Sequence, residues 1–398
     1  MIDLLDPRTF AGGHPRRLYD DLRRTAPVYR HPEPAGPGFW ALTRYQDVSA
    51  VARDYGTFSS HPTVMIADSG AVDEVPLGEA QMLMMDPPRH TAYRNLTHDL
   101  LTRRAALGRT SRIAQLARMV INGVIERGEC DFVADIGGEM IAYLMAELIG
   151  LPPGDGRQLY ALTETIQSDP AEVGARTIET AFETLYDYGA RLIAHKRAHP
   201  GDDLATRILT GEVEGRRLTE SDFMLYFLLL LDAGGDTTRH LLPGALVALA
   251  AHPDQWAWLM ADLDTRMAPA REELLRYTSP VIYMRRTATR AARIGDTAIA
   301  KGDKVVMYFG AANNDPAKFA HPDRLDLARH PNPQISFGRG PHVCVGQHMA
   351  RLEIDALFTE ALTRLKGLEI IGEPPWLPSN FVCGPQRLHV RFTPGAPL

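Results

Sequence analysis

The chain is short of cysteine, which occurs only at positions 130, 344 and 383 of its 398 residues. The three are widely separated and form no CxxC pair. Neighbouring cysteines therefore cannot build a disulfide framework or an ordinary zinc site. Such sparing use is typical of a protein kept in a reducing cytoplasm.

Long apolar runs and an excess of basic charge are also missing. The longest apolar stretch, 223–231, is far too short to cross a bilayer. The first eleven residues carry Asp3, Asp6 and Arg8 and lack the apolar core of a signal peptide. The formal net charge of −6 offers no basic field to nucleic acid or anionic lipid. We therefore expect a cytoplasmic protein that acts as a monomer and binds neither nucleic acid nor membrane.

Helical periodicity, by contrast, is abundant in the middle of the chain. The spacing of apolar residues predicts helices over 110–127, 136–149, 175–197, 219–251 and 347–366. Short apolar runs predict strands at 38–43, 297–299, 304–308 and 388–392. No repeat or low-complexity linker divides the chain, and residues 59–81 are predicted to be a long loop. These features favour one mainly α domain with small β-sheets over residues 1–398.

The most informative segment is Phe337-Gly-Arg-Gly-Pro-His-Val-Cys-Val-Gly346, which directly precedes the last predicted helix. The glycines at 338, 340 and 346 predict an unusual backbone path around Cys344. A cysteine at the start of a helix meets free N–H groups and the positive helix end, both of which stabilise a thiolate. A single thiolate can serve as the axial ligand of a haem. Cys130 and Cys383 have no such context and are expected to be small buried hydrophobes.

This segment resembles the cysteine loop of the cytochrome P450 family, Phe-Gly-x-Gly-x-His-x-Cys-x-Gly, and matches it at every specified position. The resemblance covers nearly the whole chain and implies a soluble, bacterial-type haem-thiolate enzyme. In that fold the haem b lies buried between a long distal helix and the helix after the cysteine loop. The resemblance implies Cys344 as the iron ligand, Phe337 on the sulfur side, and His342 beside a haem propionate, with Gly346 completing the loop.

A second resemblance lies in Glu273-Leu-Leu-Arg276, an acid and a base at i and i+3 on one helix face. Such a pair is ordinarily solvated. Here it resembles the Glu-x-x-Arg of the family, which binds an arginine in the segment before the cysteine loop. The resemblance implies Arg324 as that third partner and a buried structural network.

The long predicted helix contains Leu231-Asp-Ala-Gly-Gly-Asp-Thr-Thr238, with two glycines that each cost about 1 kcal/mol in a helix. They indicate either a close helix crossing or a groove opened in the helix for dioxygen. The segment resembles the acid–threonine motif of the family and implies catalytic roles for Asp236 and Thr237. Cleaving the O–O bond requires two protons, which a carboxylate and a hydroxyl can relay.

Haem propionates require cationic partners, and arginine and histidine suit them best. His90 and Arg94 lie at i and i+4 and resemble the propionate-binding helix of the family. Arg286 resembles the strand arginine with the same role, whereas Arg285 is expected to be solvated.

The family resemblance implies insertion of one oxygen atom from O2 into a substrate by hydroxylation or epoxidation, with the other atom leaving as water. Electrons would come from NAD(P)H through a ferredoxin reductase and a ferredoxin, because no flavin or iron–sulfur region fits in this length. Two alternatives are a peroxide-driven hydroxylase and a non-catalytic haem sensor or carrier. The pair Asp236 and Thr237 argues against both.

The substrate pocket is expected to be mostly aliphatic. This favours an apolar terpenoid, steroid or macrolide-like compound, such as secondary metabolism provides. Asp232 lies one turn before Asp236, where the family usually has an apolar residue. Its carboxylate either turns aside to a neighbouring group or accepts a hydrogen bond from the substrate. The predicted pocket residues are Leu229, Asp232, Ala233, Val281, Ile282, Phe381 and Val382.

Overall fold

A 31-residue helix, Glu220–Ala250, runs through the middle of the protein in a computed structural model. The structure describes residues 3–34, 36–67, 81–152, 154–167 and 173–398. For Gln167 and Asp236 it describes the backbone but not the side chain. The helix begins with a capping box, in which Thr219 and Asp222 each bond the other's backbone N–H. Its apolar residues lie on all sides, as expected of a central helix.

The α-helices of the described residues are numbered in chain order. They are α1 Arg16–Thr25, α2 Tyr45–Val51, α3 Arg89–His98, α4 Arg103–Gly108, α5 Thr110–Val124, α6 Glu139–Ile149, α7 Asp155–Gln167, α8 Ala175–Ala198, α9 Leu204–Thr210, α10 Glu220–Ala250, α11 Pro253–Ala261, α12 Leu263–Thr278, α13 Phe309–Asn313 and α14 Gln347–Arg364.

The strands are short and form small sheets. They are β1 Val28–His31, β2 Phe39–Leu42, β3 Phe58–Ser59, β4 Glu129–Asp131, β5 Glu212–Val213, β6 Arg216–Arg217, β7 Tyr283–Ala288, β8 Ala292–Ile294, β9 Thr297–Ile299, β10 Lys304–Tyr308, β11 Glu369–Ile370 and β12 His389–Arg391. The largest sheet has the order β1-β2-β10-β7-β3, in which β10 runs parallel to β2 and the other pairs are antiparallel.

The mainly α fold with small sheets is therefore confirmed, and the strongly periodic segments match the observed helices within a few residues. One segment differs, because the first three residues of the predicted helix at 136–149 belong to a π-helix, Phe132–Gly138, and the α-helix begins only at Glu139. The side chain of Asp131 accepts a hydrogen bond from the Val133 N–H at the start of the π-helix. Of the predicted loop, residues 68–80 lie outside the described part. A 3₁₀ turn, Met82–Met84, ends it.

Two helices flank the space in which the predicted site residues lie. Helix α10 packs against α6, α7, α9 and α12, and α14 packs against α5 and α12. The largest apolar cluster joins α5, α6, α10, α12 and α14, so that α10 and α14 are fixed relative to each other. No helix of the described residues is both long and apolar enough to cross a membrane.

Candidate functional site

The cysteine loop is held by its glycines and by backbone hydrogen bonds. Gly338 and Gly340 have φ of +75° and +71°, and a Cβ at Gly340 would overlap the backbone of residues 52 and 53. The Cys344 N–H donates to the Phe337 carbonyl at 2.8 Å, closing the loop just before α14. Gly346, with φ of −83°, adopts an ordinary conformation and precedes α14. The expectation of unusual backbone freedom thus holds for the first two glycines and is wrong for the third.

The Cys344 thiol faces a cavity, and the residue is half-buried. Burial raises the pKa of Cys344, although the N–H groups of Gly346 and Gln347 and the charges of Arg94 and Arg351 lower it. The start of the helix therefore stabilises a thiolate only partly. A metal cation bound at the sulfur would supply the remaining positive charge, since coordination deprotonates a thiol outright.

Across this cavity lies α10, which stays α-helical through both glycines. A Cβ on Gly234 would come within 2.7 Å of the sulfur of Met145 on α6, so this glycine permits a close helix crossing. The groove for dioxygen, which was the other interpretation, stays a prediction. Thr237 lines the cavity, and its hydroxyl donates to the Ala233 carbonyl at 3.2 Å.

Four basic side chains converge on one edge of the cavity: His90, Arg94, Arg286 and His342. The two imidazole rings lie 4.1 Å apart, and His342 Nε2 lies 3.0 Å from the Ser60 hydroxyl. Burial and neighbouring positive charges lower the pKa of His90 to about 4 and that of His342 to about 2. Burial lowers the pKa of Arg286 to about 10.

This basic cluster fits a ligand that carries carboxylates. Burial of the guanidinium groups of Arg94 and Arg286 is costly, and a carboxylate placed beside them would add to the attraction that Asp86 already exerts on Arg286. Nδ1 of His90 is buried and makes no hydrogen bond within the described residues. A thiol on one side and an unsatisfied basic edge on the other are what a haem with propionates requires, so the residues present fit that cofactor.

The expectation that the neighbouring Arg285 is solvated is wrong. Its side chain is buried, and its Nη1 donates to the carbonyls of Met65 and Ile66 at 3.3 and 3.2 Å. Strands β10 and β3 pair with β7 on its two sides, and both Arg285 and Arg286 are buried there. A sequence pattern alone does not reveal that.

Several predicted pocket residues line the cavity and others do not. Leu229, Ala233 and Val281 lie on its wall. Ile282 is wrong as a wall residue, because it is fully buried in a separate apolar cluster and its N–H donates to the Phe381 carbonyl. Its neighbour Val281 faces the opposite way, as successive residues of an extended chain do.

The remaining pocket predictions also lie outside the wall of this cavity. Phe381 packs edge-on against Tyr283, and Val382 forms a β-bridge with Val281. Asp232 is exposed on α10 and does not line the cavity. Since Asp232 has an interaction partner, its role stays a prediction.

The buried charge network around Glu273 exists, but its third member is not the predicted one. Glu273 and Arg276 are fully buried and pair at 2.7 and 2.8 Å. Arg329 donates to Glu273 Oε2 at 3.0 Å, whereas Arg324 is exposed and offers only its carbonyl to Arg276 and Arg329. The prediction of Arg324 is therefore wrong. The turn at 321–326 directs its side chain outward and brings Arg329 back toward α12.

Sequence reasoning missed Glu353, which lies on α14 and lines the cavity. The residue is 4% exposed, and its Oε1 has no hydrogen-bond partner within the described residues. Burial raises the pKa of Glu353 from 4.5 to about 8, so the side chain is mainly neutral at pH 7. A glutamate in a helix normally indicates a solvated face. Only its spacing with Met349 could have suggested otherwise.

This raised pKa has a consequence for stability. Between pH 4.5 and pH 8 the unfolded chain releases the Glu353 proton and the folded chain retains it, so the residue stabilises less as pH rises. Glu353→Gln removes this dependence. We therefore expect the free energy of unfolding of the variant to exceed that of the parent by several kcal/mol more at pH 9 than at pH 5. Glu126→Gln, at an exposed glutamate, should show no such trend in urea titrations. An equal difference at both pH values would contradict the buried neutral acid.

The site thus combines a half-buried thiol, a basic edge suited to anions and an apolar cavity wall bearing a threonine. The family model described as Cytochrome P450 matches residues 176–391. Cytochrome P450 126 of Mycobacterium tuberculosis is 36% identical over 406 residues, which cover 99% of this chain and 98% of the relative.

Two further relatives have named activities. A steroid C26-monooxygenase of Mycolicibacterium smegmatis is 34% identical, covering 100% of this chain and 97% of the relative. A linalool 8-monooxygenase of Pseudomonas putida is 32% identical, covering 98% and 99%. Among solved structures, a Mycobacterium marinum cytochrome P450 in complex with pseudoionone superposes with a TM-score of 0.91 at 35% identity. It covers 98% of each chain.

Proposed function

The chain belongs to the cytochrome P450 family and is a haem-dependent monooxygenase, and we propose that it oxidises a branched, apolar terpenoid-like compound. The single observation that carries the proposal is the cavity. Cys344 lies on one side and the basic edge on another, and the rest is lined mainly by aliphatic and thioether side chains. We propose haem b as the cofactor, held through Cys344, with Phe337, His342 and Gly346 in its loop and His90, Arg94 and Arg286 at its propionates. The whole chain, 1–398, would form the single catalytic domain.

The cavity wall supports this substrate class by what it contains and what it lacks. Leu229, Leu230 and Ala233 from α10 face Leu144 and Met145 from α6. Of the basic lining residues, four form the propionate edge, and the guanidinium of Arg339 donates instead to the Tyr45 hydroxyl and the Pro333 carbonyl. Such a surface offers burial to hydrocarbon and no partner to a substrate carboxylate. Relatives that act on linalool and on a steroid, and one solved with pseudoionone, favour branched isoprenoid skeletons.

The haem supplies reductive activation of dioxygen when it is bound, and the residues around it supply protons and exclude water. We propose that Asp236 takes a proton from solvent and that Thr237 Oγ1 passes it into the cavity. In the structure this hydroxyl bonds a carbonyl of its own helix. It must rotate to donate toward the cavity.

A binding screen tests the substrate class. Purified ferric protein should shift to high spin with acyclic and cyclic terpenoids or with a sterol, because these bury their hydrocarbon against the aliphatic wall. A straight-chain fatty acid is the control, since its carboxylate finds no partner on the aliphatic wall. Tight binding of the fatty acid without any terpenoid response would contradict the proposal.

Replacing Thr237 tests the proton route. Thr237→Ala should lower product formation on the order of a hundredfold while NADPH consumption continues, with hydrogen peroxide replacing product. Thr237→Ser keeps the hydroxyl and should stay coupled. Full coupling in the alanine variant would show that protons enter by another route.

We further propose that an acidic ferredoxin, itself reduced by a ferredoxin reductase, donates the electrons at the face of α14 that bears His348. Burial and then the charges of Arg351, Arg103 and His98 lower the pKa of His348, so these groups lie close together. Arg103 and His98 are exposed. A basic group at the helix that follows the ligand cysteine suits an acidic electron donor.

This docking surface predicts a charge-reversal effect. Arg103→Glu should raise the KM for ferredoxin about tenfold at low salt and leave kcat at saturating ferredoxin unchanged. Arg217→Glu, an exposed site on the β5–β6 hairpin, is the matched control and should change neither. An unchanged KM for the Arg103 variant would contradict docking at this face.

A further inference from the structure

The helix that follows the ligand loop carries an arginine whose guanidinium is fully engaged. Arg351 lies seven residues after Cys344 on α14. Its Nε and Nη2 donate to the two carboxylate oxygens of Glu272 on α12 at 2.7 and 3.1 Å. Its Nη1 donates to both the carbonyl and the side-chain oxygen of Gln347 at 3.1 Å. Such a bidentate pair fixes the guanidinium in one orientation.

The same guanidinium lies over the ring of Phe337, with its central carbon 4.5 Å from the ring centroid. Phe337 is the residue whose carbonyl accepts the Cys344 N–H. Arg351 therefore contacts both ends of the loop, the aromatic ring at its start and the first helical residue after the cysteine. Stacking of this kind holds the ring in place.

Glu272 is itself held in its charged state. Burial would raise the pKa of Glu272, but the hydrogen bonds and charge of Arg351, with Gln334 and Arg271, outweigh it and leave the pKa below its usual value. Gln334 Nε2 donates to Glu272 Oε2 at 3.1 Å, and Arg271 Nε donates to Oε1 at 3.0 Å. Arg351 and Glu272 therefore both carry their charges, and the negative charge of Glu272 partly balances the positive charge of Arg351.

We propose that Arg351 and Glu272 form a proximal charge clamp, a pair of positioning residues that sets the electron donation of Cys344 and thereby the reduction potential of the bound haem. The positive charge of Arg351 stabilises negative charge on the sulfur and favours the reduced site, and Glu272 limits that effect. A protein can change the reduction potential of a haem through charge and hydrogen bonding around the axial ligand. The inference rests on the proposed role of Cys344.

The clamp predicts shifts of opposite sign, which a purely structural role would not produce. In haem-loaded protein, Arg351→Gln should move the midpoint potential to more negative values, and Glu272→Gln should move it to more positive values. Arg351→Lys keeps the positive charge but loses the bidentate pairing with Glu272 and the stacking on Phe337. Its midpoint potential should stay near that of the parent. Arg364→Gln, which removes another paired arginine of α14, is the matched control and should not shift the potential.

Spectroelectrochemical titration measures these potentials independently of turnover, and carbon monoxide binding to the reduced proteins reports the ligand. Shifts of the same sign, or no shift, in variants with thiolate-type carbonyl spectra would overturn the clamp while leaving the proposed function intact. A parent protein without the thiolate-type spectrum would overturn the proposed function itself. If the glutamine variant of Arg351 fails to load haem, the signs for Glu272→Gln and Arg351→Lys decide.

Discussion

Cys344→Ser should abolish the red-shifted Soret band of the reduced carbonyl complex. A serine oxygen does not give the strong electron donation of a thiolate, and no other cysteine of the described residues lines the cavity. The expected effect is complete loss of the band together with loss of monooxygenase activity. The carbon monoxide difference spectrum of the purified variant is the measurement.

The other two cysteines provide the controls for this substitution. Cys130 and Cys383 are buried, and burial raises the pKa of each thiol to about 12, so that both stay neutral. Cys130→Ala and Cys383→Ala should keep the red-shifted band. Its persistence in the Cys344 variant would show that another residue binds the iron.

Glu273→Ala should cost about 3–5 kcal/mol of unfolding free energy, because it leaves the fully buried Arg276 without its carboxylate. The network joins α12 to the segment before the cysteine loop, so the variant should also lose haem more readily. Urea titration of the haem-loaded protein, followed by both circular dichroism and the Soret band, measures the two effects together.

Two arginines of the same segment serve as a matched pair for this prediction. Arg329→Ala should destabilise strongly, because its guanidinium contacts Glu273, whereas Arg324→Ala should change stability by less than about 0.5 kcal/mol. Equal effects of the two substitutions would contradict the corrected network. An unchanged stability of Glu273→Ala would contradict the network altogether.

The sequence indicated the parts of the site that depend on local chemistry. The loop around Cys344 requires glycines at two positions of positive φ, and the apolar periodicity of residues 219–251 predicts the long helix. The basic edge was also predictable in composition, because His90 and Arg94 share a helix face and the structure brings Arg286 and His342 to them. Their roles toward haem remain predictions.

The errors share a physical cause, which is that burial arises from packing between distant segments. Arg324 and Arg329 are equivalent in the sequence, and only the path of the turn decides which one reaches Glu273. Glu353 and Arg351 resemble the solvated charges of any surface helix, until α5 and α12 cover α14 on its two sides. No spacing rule within one helix reveals such coverage.

Isotopically labelled dioxygen tests the central claim most directly. The purified protein, with ferredoxin, reductase, NADPH and a compound that shifts its spin state, should place one labelled oxygen atom in each product molecule. Unlabelled hydrogen peroxide, added with catalase absent, should not dilute the label. Product oxygen derived from peroxide or from water, with none from dioxygen, would contradict a monooxygenase that activates dioxygen at Cys344-bound haem.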